Sequence, residues 1–234
     1  MSDAIGLGTI VSFLAEDIAP YDAAPPLGNK PDPLDELFFI ILTTMTQYGA
    51  VDVFDDLKRT FPIWDGLLRR GAEANVREVI KRCGLVNQKA PQIVSIAERL
   101  HAEFGEVSLE PLRAMTDEEA EAFLLALPRL GKKVARCVLM YSLQRAVLPV
   151  DAHVLRVGKR LGLLDESVSW PKAHDAVHDV VPEDLRYQLH VGLVRHGREG
   201  LYPQEPEVRR VRPEDAGTLP KNAHRLTAPY NPVA

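Results

Sequence analysis

The chain has few cysteines and no long apolar run. Among its 234 residues only Cys83 and Cys137 carry thiols, so we expect no disulfide framework and a cytoplasmic location. Two cysteines cannot supply the four thiolates of an iron–sulfur cluster. The most apolar stretch, residues 37–42, is too short to span a membrane. No basic segment precedes an apolar run at the N-terminus, so no signal peptide is expected.

Strand signals are equally scarce, because the best candidate, residues 147–150, is short and contains Pro149. Apolar residues recur instead at helical spacing, as at Ile93, Ile96, Ala97 and Leu100. The sequence therefore predicts an all-α fold. Its helices are expected at about residues 32–47, 51–61, 75–83, 89–104, 116–127, 132–144, 151–161, 170–180 and 182–197.

Several helix ends carry capping signals. Asp32-Pro33 is typical of a helix start, and Thr116 with Glu119 forms a capping box. Gly84 is read as the C-cap of the helix before it. The segment from Pro203 onward lacks apolar periodicity and is read as an extended tail over residues 203–234.

Acidic balance argues against non-specific coating of nucleic acid, because the formal net charge is −5. One segment departs from that balance. Between Arg129 and Arg160 the chain has eight basic residues, and its single acid is Asp151. A solvated helix face is the ordinary explanation of such a run, and a local DNA-binding face is the functional one.

Residues 127–135, Leu-Pro-Arg-Leu-Gly-Lys-Lys-Val-Ala, predict two helices joined by a short turn at Gly131. Such a hairpin presents backbone N–H groups and a helix N-terminus, which bind a DNA phosphate without reading sequence. Lys133 falls in the first helical turn, where the dipole disfavours a cation. Lys133 is thus either a surface lysine or a nucleophilic amine, and Asp151 is either a simple N-cap or a catalytic carboxylate.

The order of these motifs resembles the endonuclease III family of helix-hairpin-helix DNA glycosylases. "LPRLGKKVA" is similar to the family's L-P-G-V-G-x-K-T-A, and "VDAHVLR" follows with Asp151 eighteen positions after Lys133, as in the family. "GLVNQKAPQI" at residues 84–93 and "HGR" at residues 196–198 extend the likeness to about residues 33–198.

The resemblance implies two helical lobes with a DNA-binding cleft between them. One lobe would span residues 33–145, with the hairpin near 117–145, and the other residues 1–32 plus 146–202. Lys133 would form a Schiff base at C1′ of a flipped damaged nucleotide, with AP lyase activity, and Asp151 would assist. The expected partner is double-stranded DNA with a damaged base or abasic site, bound by a monomer. The DNA-binding candidates are Arg129, Leu130, Gly131, Lys132, Arg136, His153 and Arg156.

The sequence departs from the family pattern at three places. No cysteines follow His196-Gly-Arg, so no iron–sulfur cluster and no other cofactor is expected. The first glycine of the hairpin is replaced by Arg129. The glutamine that fills the gap left by a flipped base aligns with Met45, and Gln47 lies two residues later. Met45 is read either as this wedge or as ordinary helix core.

Other functions remain open at this stage. A monofunctional glycosylase would excise bases without a lyase step, although such members commonly lack the lysine. A catalytically silent helix-hairpin-helix module would bind DNA or a partner. His174 and His178 have i, i+4 spacing that suits zinc, but a solvated polar helix face explains them more simply. His153 and His190 are read as structural.

Overall fold

The computed structural model describes residues 29–46 and 49–199. In that part of the chain the regular structure is helical, without strands, which confirms the predicted all-α fold. The α-helices are α1 Pro33–Thr43, α2 Ala50–Thr60, α3 Ala72–Val79, α4 Val86–Phe104, α5 Asp117–Leu125, α6 Lys132–Tyr141, α7 Ala152–Arg160, α8 Trp170–Val180 and α9 Glu183–Glu199, with 3₁₀ turns at Trp64–Leu68 and Glu110–Ala114. None of the described helices is long and apolar enough to cross a membrane.

The predicted capping signals form as expected at two helix starts. The Asp32 carboxylate accepts the N–H groups of Leu34 and Asp35 at 2.9 and 2.8 Å. The Thr116 hydroxyl accepts the Glu119 N–H, and the Glu119 side chain accepts the Thr116 N–H at 2.9 Å. Both devices act within three residues, so they depend on local sequence alone.

Gly84 is not the helix cap that its position suggested, because α3 ends at Val79. A Cβ at Gly84 would lie only 2.2 Å from the Met45 carbonyl oxygen. The absence of a side chain at Gly84 therefore makes room for the backbone of Met45, a residue that lies 39 positions earlier in the chain. Packing between distant segments, and not helix termination, is what requires glycine here.

The chain divides into two compact units with the boundary between Arg145 and Ala146. We call residues 29–46 and 49–145 the first unit and residues 146–199 the second. Residues 29–32 were predicted in the second lobe but belong to the first unit. There the Lys30 N–H donates to Glu36 and the Lys30 carbonyl accepts from the Ser142 hydroxyl, at 2.6 and 2.8 Å. The predicted tail 203–234 lies outside the described residues.

The core of the first unit is built around α1. This helix is apolar nearly all round and is buried along most of its length, as expected of a helix covered on every side. It packs against α2 and α6. Phe38 and Phe54 meet Trp64 with ring centroids 4.8 and 6.4 Å apart. Cys83 and Cys137 are buried, and neither forms a disulfide within the described residues.

The second unit is organised by the packing of α7 against α9. Val154 and Val157 of α7 and Leu189 and Leu193 of α9 are buried. His153 is also part of this contact, because a Cβ at Gly197 would lie 2.6 Å from the His153 Cβ. The close approach of these two helices fixes the start of α7, which is where Asp151 lies.

Candidate functional site

A helix–turn–helix hairpin in the first unit consists of α5, the turn at residues 126–131, and α6. Leu127 and Leu130 are buried and anchor the turn to the core. Gln92 of α4 donates its side-chain N–H groups to the carbonyls of Pro128 and Arg129, at 3.0 and 3.2 Å. The turn is therefore held by two kinds of contact. Its leucine side chains are buried, and the Gln92 side-chain amide donates hydrogen bonds to its backbone carbonyls. Because the Leu130 side chain is buried, only its backbone can contact DNA.

Arg129 stands in left-handed backbone, with φ of 57°. This conformation explains why the family pattern has glycine there, since a residue with a Cβ is strained by roughly 1–2 kcal/mol. The side chain is exposed. The substitution therefore keeps the turn, at a local cost, and adds a cation to its outer face.

Gly131 is required neither by its backbone angles nor by packing. Its φ is −102°, which any residue adopts, and a Cβ there would meet no atom within 4 Å. It is the N-cap of α6 and makes no side-chain cap. Among the described residues, no atom therefore occupies the place of a Gly131 side chain, which suits close approach of an anion to the N-terminus of α6.

Lys133 lies in the first turn of α6 and is partly buried. Its charge acts on Glu36 of α1, a side chain that is fully buried. The Glu36 carboxylate accepts hydrogen bonds from the Asn29 side chain and the Lys30 N–H, both at 2.6 Å. Burial raises the pKa of Glu36, and these bonds and the Lys133 charge oppose that rise. Glu36 was not among the candidates predicted from the sequence, although an acid in the first turn of a mostly apolar helix was a visible signal.

Asp151 begins α7 in the second unit, as its N-cap. Its carboxylate accepts the N–H groups of His153 and Val154, both at 2.8 Å. The segment leading to it is held by two buried histidines. The His190 ring donates to the Pro149 carbonyl at 2.9 Å, and the His174 ring accepts the Val150 N–H at 3.3 Å. These bonds fix the backbone just before the aspartate.

His174 corrects the sequence interpretation, which placed it on a solvated helix face. It is buried, and its Nδ1 is engaged by the Val150 N–H. In the part of the chain that the structure describes, no group of three or more His, Cys, Asp or Glu side chains is arranged to hold a metal ion. The structural reading of His190 agrees with its bond to Pro149.

Two predicted DNA contacts serve other roles. The Arg136 side chain is 6% exposed, and its Nε donates to the Glu121 carboxylate of α5 at 2.8 Å, so Arg136 joins the two hairpin helices and cannot reach a phosphate. Arg156 donates to the Gly197 carbonyl at 3.0 Å and lies 3.2 Å from the His153 ring. Arg156 and His153 thus brace α7 against α9. Lys132 is partly exposed at the start of α6, where its position suits the predicted contact.

Met45 is not helix core. Helix α1 ends at Thr43, two residues earlier, and the Met45 side chain is 77% exposed on a backbone with φ of 53°. Leu85, next to Gly84, is also exposed and has φ of 61°. The contact between Gly84 and the Met45 carbonyl therefore brings together two turns that each present an apolar side chain. The second wedge candidate, Gln47, lies outside the described residues.

Comparison with known proteins gives matches over most of the chain. Residues 41–182 match the profile described as "HhH-GPD superfamily base excision DNA repair protein". A protein of Arabidopsis thaliana provisionally named a DNA glycosylase is 36% identical over 167 residues, which cover 70% of this chain and 56% of that protein. Endonuclease III of Thermotoga maritima is 32% identical over 139 residues, covering 59% and 61% respectively. The chain spans less than two thirds of the length of these relatives.

Solved structures share the fold. A non-covalent endonuclease III–DNA complex aligns with a TM-score of 0.68 at 23% identity, covering 87% of this chain and 91% of that chain. A thermostable thymine-DNA glycosylase aligns with a TM-score of 0.68 at 21% identity, covering 85% and 89%. At these identities the likeness establishes architecture alone, and chemistry has to be argued from the residues.

Proposed function

Because the chain belongs to the HhH-GPD superfamily of base excision DNA repair proteins, we propose that it is a DNA glycosylase with AP lyase activity, acting on double-stranded DNA that contains a damaged base or an abasic site. The observation that carries the proposal is the placement of Lys133. It lies in the first turn of a helix whose N-cap, Gly131, makes no side-chain hydrogen bond, and a Cβ on that glycine would meet no described atom within 4 Å.

The hairpin is proposed to hold the DNA backbone. The backbone amides at the start of α6 and the helix dipole favour binding of a phosphate. Because Gly131 has no side chain, the phosphate can approach the backbone closely. Arg129 and Lys132 add positive charge beside it. Such contacts position the protein without reading sequence, so they are compatible with many sequence contexts around a lesion.

The reaction follows from a lysine amine at the sugar. The unprotonated Lys133 Nζ forms a bond to C1′, the bond between C1′ and the base breaks, and the base leaves with that electron pair and takes up a proton. Opening of the sugar ring gives an imine, and loss of a 2′ proton expels the 3′ phosphate and nicks the strand. The Asp151 carboxylate would stabilise positive charge on the sugar and accept the lysine proton. The nucleotide must first leave the base stack, and Met45 and Leu85 are candidates for filling the space behind it.

The proposal is tested by trapping with borohydride, which reduces the imine to a stable covalent adduct. Wild-type protein mixed with abasic-site DNA should give an adduct that Lys133→Ala abolishes. Lys132→Ala is the matched control, because it removes the neighbouring charge in the same helical turn, and it should lower affinity while retaining the adduct. An adduct that persists in Lys133→Ala would contradict the assignment of the nucleophile.

The aspartate needs a variant that separates charge from capping. Asparagine caps a helix about as well as aspartate, so Asp151→Asn should keep the stability of α7 and lose most of the base-release rate. Full activity in Asp151→Asn would disprove a catalytic carboxylate. Base release without strand cleavage by the wild type would indicate a monofunctional glycosylase. Binding without either reaction would indicate a silent DNA-binding module.

A further inference from the structure

The turn at residues 44–46, which follows α1, is held by a buried lysine on another helix. Lys89 of α4 is 3% exposed. Its Nζ donates to the carbonyls of Leu42 and Thr44 at 3.0 and 2.6 Å and to the Thr46 hydroxyl at 3.0 Å. These acceptors match the three N–H groups of an ammonium ion. Lys89 thereby binds both the last carbonyls of α1 and the turn that continues from it.

Burying this amine is costly, and a simple helix cap would not need it. Burial lowers the pKa of Lys89, since a charged group loses its hydration. An N–H from the following backbone or a water molecule commonly satisfies the carbonyls at a helix end. The lysine does more than this, because besides Leu42 in α1 it binds Thr44 and Thr46, the two residues that flank Met45.

Gly84 also contacts this turn, at the Met45 backbone. Any side chain at Gly84 would collide with the Met45 carbonyl oxygen, 2.2 Å from the ideal Cβ position. The Met45 backbone thus packs against Gly84, and Lys89 binds the residues on either side of it. The Met45 backbone is left-handed, and its side chain remains 77% exposed. A strained residue of this kind persists only where its surroundings over-determine it.

We propose that Lys89 is a positioning residue for lesion recognition: its buried bonds to Leu42, Thr44 and Thr46 hold the 44–46 turn so that Met45 enters the gap left by the flipped nucleotide. This inference rests on the proposed function. It gives the lysine a role in discriminating damaged from intact DNA, distinct from the chemistry at Lys133.

The test uses Lys89→Met, which fills the same space without donors, in the full-length protein. Two duplexes are compared, one with a stable abasic-site analogue opposite 2-aminopurine and one without a lesion. We expect the preference for the lesion duplex to fall about tenfold, and the change in 2-aminopurine fluorescence on binding to be largely lost. Affinity for the intact duplex should be unchanged. Lys172→Met, an exposed lysine of α8, controls for the lost charge.

A double-mutant cycle separates positioning from general stability. If Lys89 acts through Met45, Lys89→Met should add nothing to the loss of lesion preference in a Met45→Ala protein. Additive losses would overturn the proposal, as would a Lys89→Met protein with normal preference and fluorescence. Thr46→Val removes one of the three acceptors and leaves Lys89 in place. If Lys89→Met does not fold, Thr46→Val replaces it in the cycle with Met45→Ala, and additive losses of lesion preference would again overturn the proposal.

The proposed function has its own independent readout. Trapping of abasic DNA by the wild type tests the lysine chemistry and does not require Met45. If trapping succeeds and Lys89→Met discriminates lesions normally, this inference alone is wrong. If wild type neither traps abasic DNA nor prefers the lesion duplex, the proposed function fails and this inference with it.

Discussion

Arg136 gives a direct test of how the hairpin is built. Its side chain is 6% exposed, and its guanidinium pairs with the carboxylate of Glu121, a side chain that is 20% exposed. Removing one partner of a buried ion pair costs about 3–5 kcal/mol, because the other charge stays buried and unpaired. Since Glu121 retains some contact with water, we expect Arg136→Met to lower the free energy of unfolding by the lower end of that range, about 3 kcal/mol.

The matched control replaces both partners. Arg136→Met with Glu121→Leu removes both charges of this pair, so the double variant should recover most of the lost stability. Urea unfolding followed by circular dichroism measures both differences, and the dependence of DNA affinity on salt should keep its wild-type slope in the double variant. A loss below about 1 kcal/mol in the single variant, no recovery in the double one, or a shallower salt slope would refute this reading of Arg136.

Three further outcomes are expected. Gly131→Ala should weaken binding to DNA while changing the free energy of unfolding by less than about 1 kcal/mol, because its Cβ meets no protein atom; unchanged affinity would contradict phosphate binding there. Gly197→Ala should destabilise the second unit by about 1–3 kcal/mol in urea unfolding, because the new Cβ meets His153, and a neutral effect would refute that packing. The raised pKa of Glu36 means that its contribution to stability is full below its ordinary value of 4.5 and is lost as pH rises through the higher folded value. Glu36→Gln should therefore lose less stability than wild type as pH rises across that window, and parallel pH profiles would show that Glu36 titrates normally.

Residues near one another in the chain could be interpreted without a structure. Asp32, the Thr116 and Glu119 pair, and Asp151 all cap helices as their sequence signals indicate. Each cap joins groups no more than three residues apart, so its energy is local. The spacing of Lys133 and Asp151 was likewise readable, because the family pattern records it as a fixed separation along the chain.

Other features depended on partners far away in the sequence. Helical periodicity gives the angle of Arg136 on α6, but only the packing of α5 reveals that Glu121 covers it. The exposure of Met45 follows from the end of α1 at Thr43 and from the clamp by Lys89, whose bonds span more than forty residues.

Lys133 and Asp151 show which features of the candidate site come from sequence and which come from tertiary structure. Sequence alone predicted both residues as a catalytic pair and the chemistry that such a pair suits. Tertiary structure added what surrounds each: the buried Glu36 near Lys133, and the histidines His174 and His190 that fix the backbone before Asp151. Those surroundings could not be read from spacing, because burial and long-range hydrogen bonds arise only when distant helices pack against one another.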